Sequence, residues 1–139
     1  MVDAQQNVKK DRPVYRNIGL AQLIKYRLPW AGKVSILHRI SGAALFLMLP
    51  FLLYLLDQSL ASEMSYQKFQ EITGHVLVKI ILLGLIWSFL HHFCAGIRYL
   101  LLDLEIGVEK AEANRSAIFV FLLGLALTAV VVLKLFGLY

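Results

Sequence analysis

The chain has 139 residues, 59% of them hydrophobic and only 17% charged, with a net charge of +5. The length would suit one small soluble domain, but the apolar residues fall in long blocks instead of at dispersed core positions, which excludes an ordinary water-soluble bundle. The basic excess is concentrated ahead of the first block, so it reads as a membrane-topology signal and argues against nucleic acid as a partner.

In chain order, residues 1–33 form a polar, basic arm. Its start, "MVDAQQNVKK", has no apolar core and reads neither as a secretory signal nor as a transit peptide. Pro29 disfavours helix at Leu28, and Trp30 beside it suits an interface anchor. The first apolar block is Val34–Leu56, entered through Ser35, His38, Arg39 and Ser41 and interrupted by Pro50. Ser59–Tyr66 reads as a short external connection, after which Gln67–Gly74 is expected to begin the next helix early. The second block is Val76–Leu102, and Asp103–Ser116 forms a turn in which Gly107 interrupts the helix and Asn114 or Ser116 is a candidate cap. The third block is Ala117–Leu138.

A bilayer core of about 30 Å needs roughly 20 apolar residues in a helix, and each block reaches that length. The expectation is an all-α integral membrane protein: an arm over 1–33, then a three-helix anchor over 34–139 with spans at about 34–56, 76–102 and 117–138. Half of the 14 basic residues precede the first span, whereas the next loop holds Asp57, Glu63 and Glu71 against Lys68. That asymmetry places the N-terminus in the cytoplasm and the C-terminus outside. Cys94, the single cysteine, lies inside a span and offers neither a disulfide framework nor a thiolate site.

Ionisable residues inside spans are functional candidates by default, and here they are His38, Arg39, Lys79, His91, His92, Arg98 and Lys134. Lys79 and Lys134 sit near external ends, where they can snorkel. Ser35 and Arg39 are four apart and share a helix face, with His38 one turn from Ser35. On the second span Ser88, His92, Gly96, Tyr99 and Asp103 form one stripe. His92 lies about 16 Å along the helix from Asp103, near mid-membrane, which suits either a packing hydrogen bond, haem ligation or a proton relay. Gly96 leaves clearance one turn away, for a flat macrocycle or for close helix packing. His91 points about 100° away from His92, His38 reads as much shallower and His75 as external, so ligation of one iron by two histidines requires a second chain. Arg39 reads either as a snorkelling interface residue or as a guanidinium that holds a carboxylate or polarises a carbonyl. Arg98 and Asp103 read as a structural pair or as helix-end anchors.

"RPV" at 12–14, "SILHRISG" at 35–42 and "HFCAGIRYLLLD" at 92–103 resemble the cytochrome b membrane-anchor subunits of succinate dehydrogenase, respiratory complex II, in their bacterial form. The resemblance covers nearly the whole chain. It implies that His92 is the axial ligand of haem b, with the other ligand on a second membrane-anchor subunit. It further implies that Ser35 and Arg39 bind ubiquinone, and that His38 and Arg39 contact the haem propionates. Asp103 would lie near the cytoplasmic edge of the quinone pocket. The chain departs from the family pattern at Tyr99, where relatives often carry histidine. An iron–sulfur subunit and a flavoprotein subunit would dock on the cytoplasmic face of the inner membrane and deliver electrons from succinate. The chain itself has no flavin or nucleotide motif and no cysteine set for a cluster, so it reads as a subunit of an enzyme with no catalytic group of its own. Two alternatives stand beside this reading: the anchor of a menaquinol-using fumarate reductase, and a non-redox membrane scaffold whose histidines only pack.

Overall fold

The computed structural model describes residues 19–135, which fold into five helices: α1 (Leu20–Lys25), α2 (Trp30–Leu60), α3 (Glu63–Gly74), α4 (Val76–Asp103) and α5 (Lys110–Leu135). The described residues contain no strand. Three helices, α2, α4 and α5, are long and apolar enough to cross a membrane. They run up, down and up, each packed against the other two, and α3 packs against α2 and α4. The third apolar block extends past the described residues at its C-terminal end.

Helix boundaries follow local chemistry. Pro29 takes an extended backbone (φ −64°, ψ 160°) and serves as the cap of α2, because its fixed φ and missing N–H suit a helix start. The helix therefore begins at Trp30, four residues ahead of the apolar block, and passes through Pro50 without a break. Ser62 caps α3 through a reciprocal pair: Ser65 N–H donates to the Ser62 hydroxyl, and Ser62 N–H donates to Ser65 Oγ. His75, extended at ψ 133°, then separates α3 from α4. Gln67–Gly74 is thus part of a separate helix and not the early start of span two. At the other end the chain reverses through Glu105 and Gly107, both at positive φ (61° and 75°).

α5 begins at Lys110, so Asn114 and Ser116 lie inside it and neither is its cap. Both instead tie helices together. Asn114 Oδ1 accepts from Ala31 N–H at 3.4 Å. Arg98 is buried, and its guanidinium donates to Ser116 Oγ at 2.9 Å and to the Ala113 carbonyl at 2.8 Å. Arg98 therefore turns towards α5, whereas Asp103 is exposed. Around this end Val34, Cys94, Ala95, Ala117 and Val120 form the buried core, with Cys94 a packing residue.

Most large apolar side chains point outward, among them Phe46, Leu47, Phe89, Phe93 and Phe119. Lipid tails are as apolar as these side chains, so the bundle gains little by hiding them, and its interior is held by small residues and polar ties. Gly124 shows this: a Cβ there would lie 3.4 Å from His91 Cα, so α4 and α5 are in backbone-to-backbone contact. We expect Gly124→Ala to be tolerated and Gly124→Leu to wedge the two helices apart, destabilising the bundle by about 1–3 kcal/mol. Thermal unfolding in detergent measures this; equal stability of the two variants would contradict the close approach.

Candidate functional site

The polar interior lies where α2 crosses α4. His38 and His92 stack face to face, their ring centroids 4.0 Å apart and their planes within 6°. His38 is therefore not much shallower than His92, as depth counted from Val34 implies. α2 starts at Trp30, which sinks His38 about 12 Å along its helix, close to the ~16 Å of His92 along α4.

His92 is fixed from one side. Its Nδ1 lies 3.0 Å from the His38 carbonyl oxygen and 3.3 Å from Ser41 Oγ. Ser41, almost fully buried, donates its own hydroxyl proton to the same carbonyl at 2.9 Å. A carbonyl can only accept, and the hydroxyl hydrogen is already used, so the proton between these groups belongs to Nδ1. Nδ1 of His92 thus carries a hydrogen, and in the neutral ring the lone pair lies on Nε2. The ring reaches the α2 backbone because residue 42 is glycine: a Cβ there would stand 2.8 Å from His92 Cε1 and 3.2 Å from Nδ1.

This arrangement fits a metal-ligating histidine. Such residues donate the remaining ring N–H to a carbonyl or carboxylate, which fixes ring orientation and raises the basicity of the ligating nitrogen. It also shows why His38 cannot be the opposite ligand on one iron. Imidazole lone pairs lie in the ring plane, and in two stacked parallel rings they point side by side and not towards each other.

The other residues picked from the sequence divide. Gly96 faces His38, and a Cβ there would meet His38 Nε2 at 3.8 Å, an ordinary contact. Tyr99 leans on the His38 ring at 5.0 Å, and its hydroxyl is buried without a hydrogen-bond partner. Ser35 is half-buried and Arg39 exposed. Neither makes a side-chain hydrogen bond among the described residues. His91 turns to the other face of α4, fully buried, stacked on Trp87 at 5.1 Å and edge-on to Phe121 at 6.3 Å. Ser41 and Gly42 were legible only as letters of "HRISG". The sequence signal that marks them is their spacing, three and four residues after His38, which puts two small residues on its helix face.

Among the described residues no cluster of three histidine, cysteine or acidic side chains offers a site for a bare metal ion.

Known proteins are similar to this chain. The chain is 36% identical over 100 residues to the succinate dehydrogenase cytochrome b556 subunit of Coxiella burnetii, covering 71% of this chain and 80% of that one. It is 33% identical over 92 residues to the protein of the same name from Paracoccus denitrificans, covering 66% of this chain and 71% of the relative. The Rickettsia felis protein of that name is 28% identical over 114 residues, with 82% and 85% covered. Residues 9–131 match the family described as succinate dehydrogenase/fumarate reductase transmembrane subunit. With three apolar helices, a match over nearly its full length and relatives of this kind, the chain belongs to the succinate dehydrogenase/fumarate reductase transmembrane subunit family, as a multi-pass membrane component of an oxidoreductase complex.

Proposed function

We propose that the chain is the cytochrome b anchor of a succinate:ubiquinone oxidoreductase in a bacterial cytoplasmic membrane, with its N-terminus in the cytoplasm. The observation that carries this reading is the placement of His92: Nδ1 is committed to the α2 backbone, which leaves Nε2 as the nitrogen for a ligand. The names of the relatives favour the succinate-oxidising direction over fumarate reduction.

His92 would hold the iron of haem b through Nε2. A second membrane-anchor subunit would supply the other ligand, since His38 is stacked beside His92. When bound, haem b supplies one-electron exchange inside the membrane. His38 and Arg39 would neutralise its propionates, where a guanidinium can bind a carboxylate with two parallel hydrogen bonds. Arg39 and Ser35 would act on ubiquinone. Ser35 is half-buried and Arg39 exposed, and neighbouring subunits would complete the quinone site. The Arg39 guanidinium would donate to a quinone carbonyl oxygen, stabilising the negative charge that builds there on reduction, and the Ser35 hydroxyl would add a second donor. The iron–sulfur and flavoprotein subunits would dock at the end where α2 begins and α4 ends, next to these groups. The positive residues Arg27, Lys33, Lys110 and Arg115 crowd that end, consistent with a cytoplasmic surface.

Two outcomes are expected. The purified complex shows a b-type signal in its reduced-minus-oxidised spectrum, and His92→Ala loses or clearly alters it; an unchanged signal in the variant contradicts the ligand assignment. Arg39→Ala lowers succinate–quinone turnover by about 10²-fold or more, the scale for removing a charged donor from a developing oxyanion. Subunit content and succinate oxidation with an artificial acceptor stay intact, and full turnover in Arg39→Ala would remove Arg39 from the quinone site.

A further inference from the structure

The site contains two residues whose geometry is unexplained by packing alone. Ser41 is a buried hydroxyl on an apolar helix, 3.3 Å from His92 Nδ1. Gly42 sits in the middle of a membrane span, where alanine would form a better helix. We propose that Ser41, Gly42 and the His38 carbonyl form a backbone cradle that positions His92 as a haem ligand and sets its donor strength, making Ser41 and Gly42 positioning residues.

Three features carry this. Gly42 removes the one atom that would bar the ring, since a Cβ at 2.8 Å from Cε1 is closer than such contacts ever come, and the atom it meets belongs to a ring held by its own hydrogen bonds. The His38 carbonyl takes the principal share of the Nδ1–H at 3.0 Å. Ser41 Oγ, at 3.3 Å, takes the remainder of a bifurcated bond, while its hydroxyl proton anchors it to the same carbonyl at 2.9 Å. Each acceptor on Nδ1–H pushes electron density towards Nε2 and so favours the ferric over the ferrous state of an iron bound there. Removing the Ser41 oxygen therefore raises the midpoint potential of the haem. By contrast, Gly84 on α4 has nothing within 4 Å of its would-be Cβ, and alanine there is harmless.

The inference rests on the haem reading, and the test separates the two. In the purified complex, haem b per flavin, midpoint potential and the low-spin EPR g-values are compared for wild type, His92→Ala, Gly42→Ala, Gly84→Ala and Ser41→Ala. If the wild type lacks haem b, or His92→Ala leaves it unchanged, the haem reading itself fails. With that reading standing, the cradle predicts a several-fold loss of haem in Gly42→Ala, with Gly84→Ala at the wild-type level. It predicts that Ser41→Ala retains haem with a raised potential and shifted g-values. Full haem with wild-type spectra in Gly42→Ala overturns the cradle. An unchanged or lowered potential in Ser41→Ala overturns the role of the hydroxyl. Should Gly42→Ala fail to assemble, Ser41→Ala decides alone, because it deletes one oxygen and favours the helix.

Discussion

The structure turns on one interaction, the hydrogen bond from the His92 ring to the backbone of α2. In an apolar interior an imidazole with no partner is costly, so this bond fixes the register between α2 and α4 as well as the tautomer of the ring. From that register the rest follows. His38 is brought to stack on His92 and Tyr99 to lean on His38, while Arg39 is left exposed. The bond is made at a carbonyl that a helix normally shields with the side chain four residues on; glycine at 42 opens it.

On the other side of α4 a second set of ties holds α5. Arg98 spans to Ser116 and the Ala113 carbonyl, and Gly124 lets α5 lie against the backbone at His91. α4 is thus clamped on both faces while the bundle leaves most of its large apolar side chains outside. Lipid covers such a surface without penalty, and so would a second anchor subunit. Under the proposed function the same point holds chemically: with His92 the one ligand from this chain, a second subunit would supply the other half of the site.

Much of this was legible in the sequence, because the constraint involved is one of length. Three apolar blocks long enough for a bilayer have few other uses, and a histidine inside one stands out. The detail that escaped was local and three-dimensional. The capping pair of Ser62 and Ser65 makes α3 a helix of its own, a signal hidden because serine at the third position is a less familiar partner than glutamate. Asn114 and Ser116 have cap-forming side chains, yet tertiary hydrogen bonds to Ala31 and Arg98 draw them into the helix. His38 looked shallow because depth was counted from the first apolar residue, whereas the helix begins at the proline cap. Gly42 could be seen but not interpreted, since what it makes room for lies fifty residues further on, on another helix.

The most direct measurement is a side-chain-resolution structure of the assembled complex purified from its own membrane. The account predicts a macrocycle joined to His92 through Nε2, with Nδ1 still within hydrogen-bond distance of the His38 carbonyl and Ser41. A ring flipped so that Nδ1 meets the iron, or a macrocycle bound elsewhere with His92 still packed on α2, would contradict it.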